Sequence, residues 1–343
     1  MVSGRRAATW RRRSVTCGPH FVSFPPRRPG ASRTAEAAPA PRAPMNLHVV
    51  WHPSSLDHDP GPGHPERPER LRAILEELKT PPLALDVVWH EADPAPEAAL
   101  ARVHLPGYLA RLEAMAAAGG GRLDADTVMS LKSFEAARYA AGAAMAAARL
   151  ALAGQPAFAP VRPPGHHALA GEAMGFCFIN NVVVAARAAL EEWGCRRVLI
   201  VDWDVHHGNG TQALVEQDPR IRYVSLHQWP LYPGTGRADE RGVGNLFNVP
   251  RPPGLPRARY VEDLDQAVRT ATDGWPPDLV LISAGFDAMA GDPLAGFTLE
   301  PEDYGTWIGR WRRIGAPIAS VLEGGYVPQR IRQGVAAHLV ALA

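Results

Sequence analysis

The chain predicts an α/β domain built on a mostly parallel sheet with helices on both faces. Three observations carry this expectation. From Met45 onward, short β-branched or apolar runs alternate with Ala-, Leu- and Arg-rich stretches of helical period. Several of those runs are apolar along their whole length, as strands covered on both sides must be. Their polar residues collect at the carboxyl ends, the edge at which open α/β sheets bind ligands.

Taken in order, strands are expected at Leu47 to His52, Ala84 to His90, Ala157 to Val161, Arg197 to Asp204, Ile221 to His227, Asp278 to Asp287 and Pro317 to Gly325. Helices are expected at Pro65 to Lys79, Pro106 to Ala118, Ser133 to Ala153, Asn181 to Trp193, Gly210 to Gln217, Arg257 to Thr272, Pro301 to Ile314 and Pro328 to Leu342. With no sequence repeat and no internal linker, residues 45–343 read as one domain.

Composition narrows the function. Of 343 residues, 46% are hydrophobic and 21% charged, enough for a sizeable core. No apolar run is long enough to span a bilayer, so no membrane role is expected. Cys17, Cys177 and Cys195 are too few and too irregular for a disulfide framework or a cysteine-rich zinc module, which fits a reducing, cytoplasmic setting. Residues 1–44 hold nine arginines and one acid, Glu36, giving +8; the whole chain is +1, which leaves residues 45–343 at −7. An acidic body argues against general nucleic-acid binding. The basic, proline-rich leader (Pro25, Pro26, Pro39, Pro41, Pro44) lacks hydrophobic periodicity and is expected to be disordered. It reads either as an appendage before a start at Met45 or as an organellar targeting segment.

The chemistry concentrates in VLIVDWDVHHGNGT, Val198 to Thr211. If the extended backbone continues, Asp202, Asp204 and His206 lie two apart and share one face. Two carboxylates and an imidazole suit a borderline divalent ion such as zinc. A second strand ends in SAGFDAMAGDP and supplies Asp287. Asp204, His206 and Asp287 would leave one coordination position open, the mark of a catalytic metal. The competing reading of each aspartate is a turn or N-cap residue. In RPPGHHALAG, Pro163 and Pro164 stiffen the chain and Gly165 permits a tight turn, so that His166 and His167 face one pocket as acid-base groups. Two metal ligands, or one buried and one exposed histidine, is the alternative there. A third strand ends in VLEGGY, where Tyr326 can offer a hydroxyl to a developing oxyanion or simply pack over the glycines.

PPGHHA, DWDVHHGNGT, SLHQ followed by YPGTG, AGFDAMAGDPL and EGGY occur in that order, with HPERPERL (His64 to Leu71) and GFCFINN (Gly175 to Asn181) agreeing. The chain from about residue 47 to its end therefore resembles the zinc-dependent histone deacetylase family, which includes acetylpolyamine amidohydrolases and acetoin-utilisation proteins. The resemblance implies an arginase-like fold with an eight-stranded parallel sheet. It implies zinc held by Asp204, His206 and Asp287, His167 as general base and His166 as the second, electrostatic histidine. Asp202 would pair with His166, Asn209 with His167, where some relatives carry aspartate, and Tyr326 would be the transition-state phenol. Gly175, Phe176, Tyr232 and Leu294 would border the substrate tunnel. A structural potassium ion would sit among Asp202, Asp204, His206, Ser225 and Leu226.

The expected reaction is hydrolysis of an acyl amide to acetate and a free amine. A neutral Leu294, where polyamine-selective relatives can carry glutamate, tilts the expectation to acyl-lysine in proteins. The rim stretch AAAGGG (Ala116 to Gly121) offers no acid to grip a peptide, though Asp124 or Asp126 could substitute. The alternatives are an acetylpolyamine or other small-molecule amidohydrolase, a two-metal ureohydrolase, and a catalytically silent acyl-lysine scaffold. Oligomeric state, acyl length and zinc against iron are left open by the sequence.

Overall fold

The computed structural model describes residues 46–80 and 86–343. The expected leader at 1–44 lies outside the described residues, as do Ala84 and Leu85 of the second expected strand. Among the described residues ten strands are formed: β1 (Leu47–Trp51), β2 (Val87–Glu91), β3 (Gly120–Arg122), β4 (Val128–Ser130), β5 (Ala157–Ala159), β6 (Val198–Asp202), β7 (Ile221–Gln228), β8 (Leu246–Arg251), β9 (Leu279–Ala284) and β10 (Ile318–Leu322). The helices are α1 (Ser54–Asp57), α2 (Pro68–Lys79), α3 (Glu97–Ala101), α4 (Pro106–Ala117), α5 (Ser133–Leu152), α6 (Asn181–Glu191), α7 (Asn209–Val215), α8 (Arg257–Thr272), α9 (Pro301–Trp311) and α10 (Pro328–Leu342).

Eight strands form one sheet in the order β2-β1-β5-β10-β9-β6-β7-β8, every pair parallel. The four inner strands β5, β10, β9 and β6 are buried at every position, which is why they read as continuous apolar runs. β3 and β4 pair separately as a small antiparallel hairpin. α5 carries the Ala-rich stretch expected of a strong helix former and packs its small residues against α6, β1, β5 and β10. Pro stands in the first turn of α2, α4, α9 and α10, where its missing N–H costs nothing.

Four expectations change. β8, LFNVPR, was not anticipated: Pro250 discourages a strand reading, and it is tolerated because β8 is the sheet edge. The β3–β4 hairpin and the short helices α1 and α3 were also missed. α2 starts at Pro68, three residues after the expected Pro65. The strand through Asp202 does not continue to Asp204; it ends at Asp202. Among the described residues no helix is long and apolar enough to cross a membrane.

Candidate active site

Five neighbouring strands, β5, β10, β9, β6 and β7, deliver their carboxyl-terminal loops to one patch. In the β6 loop the alternation survives although the strand does not. Trp203 and Val205 turn into the core, where Trp203 stacks on Trp307 at 5.6 Å. Asp202, Asp204 and His206 turn the other way. Asx-type turns replace the strand ladder: Asp204 N–H donates to Asp202 Oδ1 (3.1 Å) and His206 N–H to Asp204 Oδ1 (2.9 Å). Each aspartate is thus the turn residue of the plainer reading, and its second oxygen reaches another part of the fold: Asp202 Oδ2 meets His166 Nδ1 (3.1 Å) and Asp204 Oδ2 accepts from Gly324 N–H (2.8 Å).

Asp287, from the β9 loop, joins them. Ligand atoms of Asp204, His206 and Asp287 lie within 4.8 Å of one another, the sole such group of three among the described residues. His206 Nδ1 is 3.1 Å from Asp204 Oδ1 and 3.2 Å from Asp287 Oδ2. Ligands held tetrahedrally at zinc distances sit roughly 3.3 Å apart, so the spacing fits a small divalent ion. The charge fits as well. Burial, then the Asp204 charge, pushes Asp287 up to about 7. Burial alone would lower His206, but its bonds to Asp204 and Asp287 outweigh this and raise it to about 10. Two buried carboxylates thus demand a positive charge between them, which a proton on His206 supplies in the free protein and a divalent cation could replace.

The histidine pair sits on the β5 loop with unlike surroundings. His166 Nδ1–H donates to Asp202 Oδ2 (3.1 Å), which also accepts from the Tyr223 hydroxyl (2.9 Å). Burial opposes its charge, but Asp204 and Asp202 prevail and raise it to about 10. His167 Nδ1–H donates to Asn209 Oδ1 (2.8 Å), and Asn209 in turn points its amide at Met174 Sδ (3.2 Å). Burial first, then His166 and His206, hold His167 well below the usual histidine range. One imidazole is therefore cationic and the other neutral, with the Nε2 lone pair of His167 free. Gly165 opens the tight turn expected of it, its carbonyl accepting from Ala168 N–H (3.0 Å). It is needed for close approach, since a Cβ there would fall 2.6 Å from Asn181 N.

Tyr326 is set by residues the sequence reading passed over. Its backbone N–H donates to Asp292 Oδ2 (2.8 Å), while Asp292 Oδ1 accepts from Leu294 (3.0 Å), tying the β10 and β9 loops together. Glu323, fully buried, accepts through Oε2 from Gly165 N–H (2.7 Å) and His166 N–H (3.1 Å), and through Oε1 from Ser283 (3.1 Å). The HPERPER segment contributes a buried ion cluster: Glu66 accepts from Arg70 (2.7 Å) and from Arg162 (2.5 and 2.7 Å), with His58 at 3.2 Å. The available signal was a charged residue inside an apolar strand end, as at Glu323, and Glu66 and Arg70 four apart, with Glu66 just ahead of α2.

A cavity of about 190 Å³ opens over the cluster, lined by His167, His206, Tyr326, Phe176, Tyr232, Leu294, Leu231, Gly175 and Asp126. Gly175 and Phe176 both have left-handed backbones (φ 55° and 70°), and a Cβ on Gly175 would meet His167 at 2.4 Å. Phe176 lies edge-on to Tyr326 at 5.8 Å, and Tyr232 edge-on to His167 at 5.2 Å, so the two rings form facing walls. Of the two rim acids, Asp124 is spent on its own turn, accepting from Asp126 and Thr127, whereas Asp126 reaches the cavity. Ser225 lies opposite Asp202 in the β6–β7 register, with Leu226 next along the strand. A larger groove of about 430 Å³ lies between the end of α5 and the start of β10, at the opposite edge of the sheet, but its lining has no titratable cluster.

The sequence profile of the histone deacetylase domain matches residues 64–342. A probable deacetylase of Methanothermobacter thermautotrophicus is 39% identical over 290 residues, covering 82% of this chain and 87% of that one. A histone deacetylase-like amidohydrolase of Pseudomonas aeruginosa is 39% identical, with 77% and 73% covered. The human polyamine deacetylase HDAC10 is 37% identical, with 79% of this chain and 43% of that protein covered. The crystal structure of the HDA15 HD domain superposes with a TM-score of 0.83 at 36% identity, covering 88% of both chains. With its parallel sheet, its Asp-His-Asp cluster and this matched span, the chain belongs to the histone deacetylase family, whose members are amidohydrolases.

Proposed function

We propose that this protein is a metal-dependent deacylase that hydrolyses the ε-amide of acyl-lysine in proteins. The observation that carries the reading is the convergence of Asp204, His206 and Asp287 beneath a narrow aromatic-walled cavity that also receives His167 and Tyr326. Asp204, His206 and Asp287 would hold the ion. The chemistry such an ion would supply is Lewis-acid polarisation of an amide carbonyl and a lowering of the pKa of a water from 15.7 toward about 7.

The remaining steps belong to side chains. His167, neutral and with Nε2 free, takes the proton of the attacking water. Asn209 fixes its tautomer. Tyr326 donates its hydroxyl to the oxyanion as the carbonyl becomes tetrahedral. His166, held cationic by Asp204 and Asp202, stabilises that charge. The protonated His167 then returns its proton to the leaving amine.

The cavity is smaller than the 300 Å³ or more typical of drug-sized ligand pockets, which suits a slim alkyl chain between Phe176 and Tyr232. Leu294 at the wall offers no charge to a second amine of a polyamine, and Asp126 at the mouth can accept backbone N–H groups of a peptide. A small acylated amine is the second reading, supported by the polyamine activity in the name of one relative. Metal analysis combined with a substrate panel tests both. One zinc per chain and a higher kcat/KM on acetyl-lysine peptides than on acetylpolyamines is expected. The reverse preference would move the assignment to small amines, and inactivity of the metal-loaded protein on every acyl amide would leave a silent scaffold.

A further inference from the structure

Apart from Tyr232 as a cavity wall, the motifs SLHQ and YPGTG take no part in the acid-base steps above, yet the structure joins them to the site through two buried imidazoles. His227, the third residue of SLHQ, is fully buried. Its Nε2 is 2.9 Å from Gly236 O, which can only accept, so Nε2 carries the proton; Nδ1 therefore accepts from the Ser225 hydroxyl at 2.9 Å. His207 follows His206 in sequence. Its Nε2–H donates to Gln212 Oε1 (2.9 Å), an oxygen that also accepts from Asn248 Nδ2 (2.7 Å), while Gln212 Nε2 is used on Glu240. That leaves His207 Nδ1 to accept from the Thr235 hydroxyl at 2.8 Å. The two rings lie 4.7 Å apart. Between them sits Gly236, at φ 88°, where a Cβ would fall 2.5 Å from His207 Cγ and 2.6 Å from His227 Nε2.

Four residues before Gly236 in the same loop is Tyr232, the wall opposite Phe176. Tyr232 itself is 38% exposed, and its ring packs edge-on to His167 at 5.2 Å. With no side-chain hydrogen bond to it among the described residues, its backbone position is set by its loop. We infer that His207 and His227 clamp the 232–236 loop at Thr235 and Gly236, and that this clamp sets the width of the acyl-amine cavity by positioning Tyr232. His207, His227, Thr235 and Gly236 are positioning residues in this assignment, and none touches the reacting atoms. The clamp also gives a reason for the glycine that ends YPGTG: both its left-handed backbone and the imidazole on either side exclude a side chain. The role of Tyr232 rests on the proposed function; the clamp itself does not.

The experiment combines hydrogen-exchange mass spectrometry with steady-state kinetics on the zinc-loaded full chain, using Thr235→Val, Thr235→Ser and Gly236→Ala. Thr235 is exposed, so Thr235→Val deletes one bond without threatening the fold. Expected are exchange about tenfold faster across residues 229–236 with no change across 198–206, and KM for an acetyl-lysine peptide raised about fivefold to tenfold. Turnover should stay within twofold and zinc content at one per chain. Thr235→Ser should restore wild-type values, and Gly236→Ala should exceed Thr235→Val in both readouts. Unchanged exchange in both Thr235→Val and Gly236→Ala overturns the clamp. Faster exchange with lower kcat and unchanged KM overturns the role of Tyr232, because the clamp would then serve the metal loop instead. If the wild-type protein acts on no acyl amide, the substrate reading fails while the exchange data still decide whether the clamp exists.

Discussion

Arg70 lies under the ring of Tyr326, its guanidinium carbon 4.9 Å from the ring centroid, while its Nε donates to Gly325 O at 2.5 Å and Nη2 to Glu323 O. One side chain thus holds the backbone on both sides of Gly324 and the face of the phenol that follows. Its own charge is balanced by Glu66, whose carboxyl would be pushed up by burial but is held well below the usual range by Arg162, His58 and Arg70. Arg70→Ala leaves that carboxylate short of one partner in a dry interior and should cost about 3–5 kcal/mol of stability by chemical denaturation. Arg70→Lys keeps the charge but cannot bridge two carbonyls and stack at once. It should retain the fold and lower kcat on the order of tenfold to a hundredfold as Tyr326 loses its seat. Wild-type turnover in a stable Arg70→Lys protein would show that the phenol needs no such support.

Tyr326 itself is expected to act as a donor over the whole working range. Burial first, then Asp287 and Asp204, drive its hydroxyl well above the ordinary phenol value, with Arg70 opposing. The phenol therefore stays protonated, and no fall in rate between pH 7 and 10 should arise from it. Tyr326→Phe should lower kcat roughly a hundredfold to a thousandfold, the loss typical of an oxyanion donor, with KM little changed. Near-normal turnover in the Phe variant would remove this residue from the mechanism.

Much of this site was legible in the sequence because its chemistry is local. Asp202, Asp204 and His206 alternate with Trp203 and Val205, and that alternation separates cavity from core whether the backbone is a strand, as expected, or the chain of turns that the structure contains. Asp287 could be added because it ends another apolar run. What stayed hidden was carried by long-range pairing. Glu323, Asp292 and Arg162 look like ordinary loop or strand-end charges until the fold brings Gly165, Tyr326 and Glu66 against them. β8 was missed for a related reason: Pro250 marks a strand only when one knows that it lies at the edge. Asp126 and Asp124 were interchangeable in sequence, and only the turn that consumes Asp124 separates them.

Asn209 offers a direct test of how His167 is tuned. Burial first, then His166 and His206, hold His167 low; Asp204 and the bond from His167 Nδ1 to the uncharged Asn209 amide oxygen act in the opposite direction but do not outweigh them. Asn209→Asp places a carboxylate at 2.8 Å from that nitrogen and favours the imidazolium. The base is active when neutral, so the acidic limb of kcat/KM against pH should move to higher pH in the variant. A limb that stays in place, or moves to lower pH, would mean that another group controls it.

Removal of one metal ligand should separate binding from fold. Asp287→Ala takes one donor from the group of three and also frees Val205 N–H, which donates to Asp287 Oδ1 at 2.9 Å. The variant should lose both zinc and activity while far-ultraviolet circular dichroism stays that of the parent. Full zinc occupancy in the folded variant would assign the ion to other side chains.

His104 gives the fold a pH limit away from the metal cluster. Its Nδ1–H donates to Leu169 O (3.0 Å), and its Nε2 accepts from Asn180 N–H (2.9 Å), so a second proton would set two donors against each other. Burial lowers it to about 4, although bonds to backbone carbonyls act in the opposite direction. The unfolded chain takes up a proton near pH 6.5, well before the folded chain does. The stability this residue contributes is therefore fully present above pH 6.5 and is lost as pH falls toward 4, by up to about 3 kcal/mol. Gln at this position can keep one donor and one acceptor without titrating. Urea unfolding of wild type and His104→Gln at pH 7.5, 6 and 4.5 should show their difference shifting in favour of the variant as pH falls. A difference that is constant across the three pH values would mean that His104 is not held neutral in the native state.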